Sequence, residues 1–431
     1  NISYVTKLFK GLPFYERPFL LSKINLIYMK TTIRTTETLF ADRVLHVPQS
    51  FIREILKVAS NPDIISFAGG LPNPSLFPIK ELEDAATYVF QHQGMQALQY
   101  TSTEGYYPLR EFISQRYRQR YGLKIPPEQI LITNGSQQAL DLIGKIFINP
   151  GDHVLLERPT YLGALQCLSM FQPKFHEVEL NADGLDIDNL ENKLWAQSMK
   201  LFYCIPNFQN PTGTRYTKEI REKMVEVMSR YNTFIIEDDP YGDIFFDGED
   251  LEPLYSYMPE KTILLGSFSK SIAPGLRLGW MVANPEVIQK ATIMKQASDL
   301  HSGNLTQYIL HRFLTTHSLD AHLKKIRDNY RFQRDTMMSC LKYYFPATIT
   351  YTIPQGGMFA WVTLPAEITA RELLAKALEQ QIIFVPGDSF YATNPDSQTI
   401  RLNYSNVDEA TMRKAMNVLG GIVTSMCNQP Y

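Results

Sequence analysis

A lysine has unusual neighbours in the stretch SFSKSIAPGLRLGW, which runs from Ser267 to Trp280. Lys270 is flanked by two serines and follows the apolar run TILLG, which is typical of a buried strand. Surface lysines usually lie among polar residues on helices, whereas small and turn-forming residues surround this one. A lysine amine becomes a nucleophile when burial or a neighbouring cation lowers its pKa. The stretch therefore predicts a reactive lysine at a strand end.

Other chemically useful side chains follow three further apolar runs. Ligands of open α/β sheets bind outside the carboxyl ends of the strands, so residues directly after predicted strands are candidates for a binding site. These residues add an amide, a carboxylate and a hydroxyl or glycine turn to the amine, a combination that predicts an anionic, nitrogen-containing ligand. The candidates are Asn134, Gly135 and Ser136 after ILIT, Asn210 in NFQNPTG after LFYCIP, and Asp238, Asp239 and Tyr241 after TFII.

Each residue also has a plainer structural interpretation when it is taken alone. Gly135 could simply be the N-cap of a helix, and Asn210 could simply be part of a turn. Lys270 could be solvated, and Arg277 could pair with a surface acid. Together, however, the groups match the needs of pyridoxal 5'-phosphate: a lysine amine, a carboxylate beside the ring nitrogen, donors to the ring oxygen and a cup for the phosphate. The sequence has neither GxGxxG nor a P-loop motif, so a nucleotide is not favoured.

The order of predicted elements explains how these groups would meet. From about residue 129 short apolar strands alternate with amphipathic helices, which predicts a largely parallel sheet covered on both faces. One helix, PTYLGALQCLSMF, is predicted to begin at Pro159. After about residue 315 a long helical run precedes short strands and a further helix, which indicates a second, smaller α+β unit.

Composition excludes several other classes of protein. The chain has 431 residues, a net charge of −2 and 44% hydrophobic residues, as ordinary globular proteins do. The net charge is too small to indicate nucleic-acid binding, and no apolar run is long enough to predict a membrane span. The four cysteines form no CxxC pair and the histidines form no HExxH motif, so no metal site is predicted. We hypothesise that the 28 residues before Met29 are a translated leader.

The stretch around Lys270 resembles the lysine motif of the fold-type I aminotransferases of class I/II. Seven further motifs follow the order and spacing of that family, and the resemblance covers roughly residues 40 to 420. It is strongest to the 2-aminoadipate/kynurenine aminotransferase branch and extends to the catalytic half of MocR-type regulators. The further motifs are ISFAGGLPNPSLFP, LQYTSTEGYYPLRE, NGSQQALDL, PGDHVLLERPTY, PNFQNPTG, EDDPYGD and IRLNYS.

The resemblance implies an α/β architecture, the PLP-dependent transferase fold type I. A large domain would contain a mostly parallel seven-stranded sheet, and a smaller domain would be α+β. The implied boundaries are an N-terminal extension at 1–30, an N-terminal arm with part of the small domain at 31–75, the PLP-binding domain at 76–315 and the C-terminal small domain at 316–431.

The resemblance also implies roles for individual residues. Lys270 would hold the cofactor as an aldimine and move a proton between Cα and C4'. Asp238 would pair with the ring nitrogen; composition does not choose between Asp238 and Asp239, but the family's three-residue offset from the catalytic Tyr241 favours Asp238. Arg401 would bind the substrate α-carboxylate through its planar guanidinium. The other cofactor-binding residues would be Ser136, Gln137, Tyr161, Asn210, Tyr241, Ser267, Ser269 and Arg277, with Tyr100 reaching the partner subunit's phosphate. The other substrate-binding residues would be Asn210, Gly70 and Leu71.

The implied activity moves an amino group from an L-amino acid to a 2-oxo acid, expected to be 2-oxoglutarate, in a cytoplasmic homodimer. The donor stays open among 2-aminoadipate, aromatic or kynurenine-like, and branched amino acids. A MocR-type regulator is one alternative, although the roughly 40 residues before the resemblance lack two clear helices with a basic face. A different PLP reaction, such as β-elimination or decarboxylation, is another, because one fold hosts several chemistries.

Overall fold

The computed structural model describes residues 40–45, 55, 58 and 61–428. The predicted extension at residues 1–30, including the hypothesised leader, lies outside the described residues. The chain divides into two compact units, Asn1–Pro48 and Gln49–Tyr431. The described part of the first unit contains a short helix, α1 (Asp42–Leu45). All other elements of the described residues belong to the second unit.

Three sheets account for the strands in the described part of the second unit. The strands are β1 (Ile65–Ser66), β2 (Ile130–Thr133), β3 (His153–Arg158), β4 (Lys174–Asn181), β5 (Gly184–Leu185), β6 (Leu201–Cys204), β7 (Phe234–Asp239), β8 (Thr262–Ser267), β9 (Gly279–Val282), β10 (Thr350–Tyr351), β11 (Phe359–Thr363), β12 (Ile382–Ile383), β13 (Val385–Pro386) and β14 (Thr399–Asn403).

The largest sheet has the strand order β2-β9-β8-β7-β6-β3-β4-β5. Strands β4, β3, β6, β7 and β8 pair in parallel, whereas β9 runs antiparallel to both of its neighbours. The predicted large, mostly parallel sheet is confirmed, but it has eight strands rather than the predicted seven because the two-residue β5 pairs with β4 at its edge. Because β3, β6, β7 and β8 are parallel, their carboxyl ends meet at one edge of the sheet, where ligands of such folds bind.

Helices cover both faces of this sheet. Ile130 and Ile132 of β2 pack in one apolar cluster with Phe313, whereas Leu131 between them packs in a second cluster with Leu140. This alternation is what a strand buried on both faces requires. No helix in the described ranges is long and apolar enough to cross a lipid bilayer. The helices are α2 (Ile79–Ala97), α3 (Tyr107–Tyr121), α4 (Ser136–Phe147), α5 (Leu162–Ser169), α6 (Ile187–Ala196), α7 (Lys218–Ser229), α8 (Leu254–Tyr257), α9 (Pro285–Asp299), α10 (Asn304–Thr316), α11 (Leu319–Tyr344), α12 (Ala370–Glu379) and α13 (Glu409–Cys427).

A smaller antiparallel sheet, in the order β10-β11-β14-β13, follows the long helix α11. Apolar residues of α11, α12 and α13, including Leu341, Leu373 and Met416, share one core with Ile400 and Leu402 of β14. The short strand β1 pairs in parallel with β12, so the chain before the large sheet reaches the C-terminal elements. The predicted domain boundaries stay a prediction.

One sequence-based expectation about a helix start was wrong. Helix α5 begins at Leu162 rather than at Pro159, and Tyr161 adopts an extended conformation at its N-cap. The backbone N–H of Thr160 donates a 2.8 Å hydrogen bond to the carbonyl of Phe390, which keeps the segment extended. A contact with a distant part of the chain thus overrides the local helical pattern and leaves Tyr161 at the edge of the sheet.

Candidate active site

Lys270 lies in the loop directly after β8, at the carboxyl edge of the large sheet. Its Nζ donates a 2.6 Å hydrogen bond to the backbone carbonyl of Gly70. Burial lowers the pKa of the amine to about 8, and the charges of Arg401 and Arg277 act in the same direction. At pH 7 about one amine in ten is therefore uncharged, far more than at the ordinary pKa of 10.5, and the uncharged amine is the form that attacks a carbonyl carbon.

Asp238 lies near the end of β7 and is almost completely buried. Its Oδ2 accepts a 2.9 Å hydrogen bond from the hydroxyl of Tyr203, whereas its Oδ1 is buried without a partner. Burial raises the pKa of this carboxyl to about 7, and the hydrogen bond from Tyr203 opposes that rise. A buried acceptor without a donor is unfavourable, so the site is suited to a ligand with a protonated nitrogen.

Asp239, the alternative that composition left open, faces different groups. Its Oδ1 accepts hydrogen bonds from Nδ2 of Asn207 at 3.0 Å and from the backbone N–H of Gly242 at 2.9 Å. Successive residues of a strand point to opposite faces of a sheet, and these two acids follow that rule. Of the two acids, Asp238 is therefore the one with a buried carboxylate oxygen that has no partner.

Arg401, Asn210 and Tyr241 form a chain of hydrogen bonds. Arg401 of β14 donates from Nη1 to Oδ1 of Asn210 at 2.7 Å and from Nη2 to the carbonyl of Ala68 at 2.6 Å. Nδ2 of Asn210 in turn donates to the hydroxyl of Tyr241 at 3.4 Å. Arg401 is only 5% exposed, stacks over the ring of Phe359 at 4.3 Å, and has an Nε without a partner. Burial lowers the pKa of its guanidinium to about 10.

Helix α4 starts with an uncapped N-terminus at the same edge. Gly135 is its N-cap residue, with φ of 75°, and no side chain caps the first turn, which includes Ser136 and Gln137. A Cβ at position 135 would lie 3.0 Å from Nη2 of Arg277, so glycine permits the guanidinium to approach. Free backbone N–H groups beside an arginine form an anion site.

Arg277 itself has a left-handed backbone, with φ of 53°. That conformation costs a non-glycine residue roughly 1–3 kcal/mol, so the surrounding contacts must hold it in place. Its Nη2 donates to the carbonyl of Asn134 at 3.2 Å. Close by in sequence, Oγ of Ser267 accepts a 3.1 Å hydrogen bond from the backbone N–H of Ser269. These contacts hold Ser267, Ser269 and Arg277, to which the resemblance assigned a role in binding the phosphate.

Tyr161 joins the same site. Burial raises the pKa of its hydroxyl, the charge of Asp238 acts in the same direction, and those of Arg401 and Arg277 oppose it. The charges of Asp238, Arg401 and Arg277 thus all act on Tyr161. The single site thus collects residues from loops after β3, β6, β7 and β8 and from β14.

Three predicted residues do not place their side chains in this cluster. Tyr100 is 77% exposed and lies edge-on against the ring of His301. The side chain of Leu71 is exposed, and Nε2 of Gln137 donates to the carbonyl of Gly163 at 2.9 Å. Their assigned roles stay predictions.

The comparison with known families decides what kind of protein this is. The family described as aminotransferase class I and II matches residues 67–419. The chain belongs to this family.

Individual relatives agree with this assignment. The aromatic-amino-acid aminotransferase 1 of Thermococcus litoralis is 40% identical over 89% of this chain and 93% of its own length. The kynurenine aminotransferase of Pyrococcus horikoshii, solved in complex with PMP, superposes with a TM-score of 0.88 at 38% identity, over 91% of this chain and 99% of its own. The alpha-aminoadipate aminotransferase of Thermus thermophilus, complexed with N-(5'-phosphopyridoxyl)-L-leucine, gives a TM-score of 0.85 at 37% identity, over 91% and 98%. This chain is a PLP-dependent aminotransferase whose substrates are amino acids and 2-oxo acids.

The residues present in this aminotransferase fit PLP. The unpartnered Oδ1 of Asp238 matches a protonated ring nitrogen. The lowered pKa of Lys270 matches an amine that must react with an aldehyde. The uncapped N-terminus of α4 beside Arg277 matches a phosphate. The residues present therefore fit the ring nitrogen, the aldehyde and the phosphate of the cofactor.

Sequence reasoning missed several residues that support the site. Five consecutive carbonyls, from Phe67 to Leu71, all accept hydrogen bonds, and β14 with the residues after it supplies most of the donors. The donors are the backbone N–H of Asn403 to Phe67, Arg401 to Ala68, Nδ2 of Asn403 to Gly69, Lys270 to Gly70, and Oγ of Ser405 to Leu71. The alternation of polar residues in RLNYS, at 401, 403 and 405, was the signal that could have identified them.

Glu157 is a second missed residue. This fully buried carboxylate at the end of β3 accepts from the backbone N–H of Ile205 at 3.1 Å, from the hydroxyl of Tyr216 at 2.6 Å and from Nε2 of Gln209 at 3.0 Å. Gln209 also donates to the carbonyl of Pro159 at 2.8 Å. Glu157 thereby ties the loop that carries Asn210 to the loop that carries Tyr161.

Proposed function

We propose that Lys270 binds PLP covalently and acts as the proton-transfer residue of this aminotransferase. The observation that carries the proposal is the setting of Arg401: a buried guanidinium close to Lys270 that forms no ion pair with any acidic side chain among the described residues. A buried charge without a counter-charge is strongly unfavourable, so a carboxylate ligand is its natural complement. The α-carboxylate of an amino acid supplies that group, and the planar guanidinium recognises it through two hydrogen bonds.

Each residue of the site then has a task. Bound PLP supplies an electron-withdrawing ring that makes the Cα proton of the substrate acidic. Lys270 removes the proton from Cα and returns one in the opposite half-reaction. Its lowered pKa allows the amine both to accept and to donate a proton near neutral pH. Asp238 keeps the ring nitrogen protonated, and Asn210 and Tyr241 hydrogen-bond the ring oxygen. Tyr161 covers the ring.

The phosphate contacts are the remaining part of the proposed cofactor site. The backbone and side chains of Ser136 and Gln137, at the start of α4, would bind the phosphate oxygens together with Ser267, Ser269 and Arg277. The helix N-terminus and the guanidinium both favour a negative charge at this position.

The proposed amino donors have large side chains. The described relatives are named for aromatic amino acids, kynurenine and alpha-aminoadipate, so we place the donor in that group, with branched amino acids as further candidates. We propose 2-oxoglutarate as the acceptor. To rank the donors, each is incubated with the enzyme and 2-oxoglutarate, and the glutamate formed is quantified. Absence of glutamate with every donor would refute transamination to this acceptor.

The assignment of Lys270 is tested by Lys270→Ala. The purified wild-type protein is expected to show a visible cofactor band and to transaminate, whereas the variant loses covalent attachment and turnover. Lys80→Ala is the matched control, because Lys80 is an exposed lysine on α2 that pairs with nearby surface acids. Turnover by Lys270→Ala at the wild-type rate would refute the assignment.

We also propose that the aminotransferase is a cytoplasmic homodimer. All four cysteines are free thiols, which is usual in a reducing compartment. The exposed Tyr100 supports a dimer in which it contacts the phosphate of the partner subunit. Sedimentation measurements test the dimer, and cell fractionation tests the compartment.

A further inference from the structure

Tyr203 is placed to control the carboxylate of Asp238. Strands β6 and β7 are adjacent and parallel, and Tyr203 pairs in register with Ile236. Ile236 and Asp238 are two residues apart on one strand, so the side chains of Tyr203, Ile236 and Asp238 lie on the same face of the sheet. The Tyr203 ring is completely buried, and its hydroxyl has one acceptor in the hydrogen bonds described, the Oδ2 of Asp238 at 2.9 Å.

This contact distinguishes the two oxygens of the carboxylate. Oδ2 is held by the tyrosine, and Oδ1 is buried and free to accept. The described residues form no ion pair with Asp238, whereas its neighbour Asp239 is bonded to Asn207, which itself accepts a 2.6 Å hydrogen bond from the buried Arg221. The neutral hydroxyl of Tyr203 is therefore the main protein group that stabilises the charged form of Asp238, and the hydroxyl of Ser136 acts in the same direction to a smaller extent.

We propose that Tyr203 is a positioning residue of the aminotransferase reaction: its hydroxyl leaves Oδ1 of Asp238 as the acceptor for the cofactor ring nitrogen and keeps the shared proton on that nitrogen. The proposal rests on the proposed role of Asp238. A hydrogen bond to a carboxylate makes it a weaker base, so the proton between carboxylate and ring stays on the ring. Without the tyrosine hydroxyl, Asp238 becomes more basic and takes the proton, and the ring loses its positive charge and much of its electron-withdrawing power.

Several titratable groups act on Asp238 from the elements around it. Asp239 on β7 repels its charge. The remaining groups with which it interacts electrostatically are Tyr203 and Cys204 on β6, Glu157 on β3, and Tyr161 and Tyr241 in the loops at the sheet edge. Of these groups, Tyr203 is the one whose side chain donates a described hydrogen bond to the carboxylate.

The test is Tyr203→Phe, studied as the PLP-loaded enzyme. The visible absorbance of the bound cofactor changes with pH as the group linked to Lys270 loses its proton, and a positive ring nearby favours that loss. Removing the tyrosine hydroxyl should therefore raise the midpoint by about one pH unit, the size expected when a hydrogen bond to a charged group is lost. We also expect kcat to fall about tenfold with little change in KM. The variant ring would stabilise the negative charge of the transition state less well, whereas the contacts that bind the substrate are unchanged.

Tyr216→Phe is a matched control. Tyr216 is also a completely buried tyrosine whose hydroxyl donates to a buried carboxylate, that of Glu157, at 2.6 Å. Glu157 keeps its donors Ile205 and Gln209 in this variant, so we expect a loss of thermal stability without a shift of the absorbance midpoint. An unchanged midpoint in Tyr203→Phe, or equal shifts in both variants, would overturn the proposal. A wild-type protein without a pH-sensitive cofactor band would instead refute the proposed function.

Discussion

Arg401 and Asn210 are 191 positions apart in the sequence, and Nη1 of the arginine lies 2.7 Å from Oδ1 of the asparagine. This contact joins strand β14 of the small sheet to the loop after β6 of the large sheet. Arg401 also binds the carbonyl of Ala68, and Lys270 binds that of Gly70. One segment, Ala68–Gly70, therefore lies between the proposed carboxylate-binding group and the proposed reactive amine.

The position of Arg401 predicts that a lysine cannot replace it. Arg401→Lys keeps the charge but loses the planar fork that holds Asn210 and the substrate carboxylate together, so KM for the amino donor should rise about tenfold to a hundredfold. Steady-state kinetics with a fixed 2-oxo acid measures this change. Arg413→Lys, in an exposed pair with Glu409 on α13, is the control. Equal KM values for wild type and Arg401→Lys would contradict the assignment.

The pKa of Lys270 predicts how fast cofactor-free protein captures PLP. The amine reacts only when it is uncharged, and its pKa is lowered to about 8 by burial and by Arg401 and Arg277. The rate of covalent capture should thus rise with pH, with a midpoint near pH 8, when followed by stopped-flow absorbance. Arg401→Gln removes a positive charge and should move the midpoint upward. A midpoint that stays in place, or falls, would show that Arg401 does not act on Lys270.

The three donors to Glu157 predict a loss of stability in Glu157→Gln. An amide presents one acceptor oxygen, and its NH₂ group faces the donor Nε2 of Gln209. We expect the free energy of unfolding to fall by about 1–3 kcal/mol, the usual effect of leaving a buried donor unpaired. Urea denaturation measures it, and Glu191→Gln, in a partly exposed pair with Arg230, is the control. Equal stability of the two variants would show that the network around Glu157 tolerates the change.

Glu157 also predicts a pH dependence. Burial raises the pKa of its carboxyl to about 7, above the ordinary value of 4.5, so between these values the folded state binds more protons than the unfolded state. The stability that this group contributes is complete below pH 4.5 and is lost as pH rises through 7. Comparing the unfolding free energies of wild type and Glu157→Gln across this range should show the wild type losing more of its stability than the variant as pH rises. Parallel profiles would contradict the raised pKa.

The proposed role of Tyr100 across a dimer is tested with hybrid dimers. Co-expression of Tyr100→Ala and Lys270→Ala subunits with different tags allows the mixed dimer to be purified. If Tyr100 completes the partner's site, one of the two sites is intact and the hybrid should have about half of the wild-type activity. If Tyr100 acts within its own subunit, neither site is intact. Activity no higher than that of a Tyr100→Ala homodimer would therefore overturn the trans arrangement.

The sequence by itself determined the large sheet and the identity of its edge residues. Apolar strands that alternate with amphipathic helices can be buried only as a largely parallel sheet covered on both faces, and the polar residues after β2, β6, β7 and β8 then meet because strands that run in one direction end at one edge. Lys270, Asn210 and the adjacent acids Asp238 and Asp239 were predicted in this way, as local features of the chain. The roles of Arg401 and Tyr161 came from the resemblance to a family rather than from a local pattern.

Only the tertiary structure decided which groups these residues contact. The sequence pattern predicts helix through Thr160, but a hydrogen bond from its backbone to Phe390 keeps the segment extended. Nor does the sequence pattern show that Tyr203 binds Asp238, because that contact depends on the register of two strands and joins residues that are 35 positions apart. Periodicity reports the conformation of neighbouring residues, whereas hydrogen bonds between distant segments depend on how the whole chain packs. The choice between Asp238 and Asp239 shows the same division: two adjacent acids are equivalent in composition, the resemblance favoured Asp238, and the structure places the two side chains on opposite faces of the sheet.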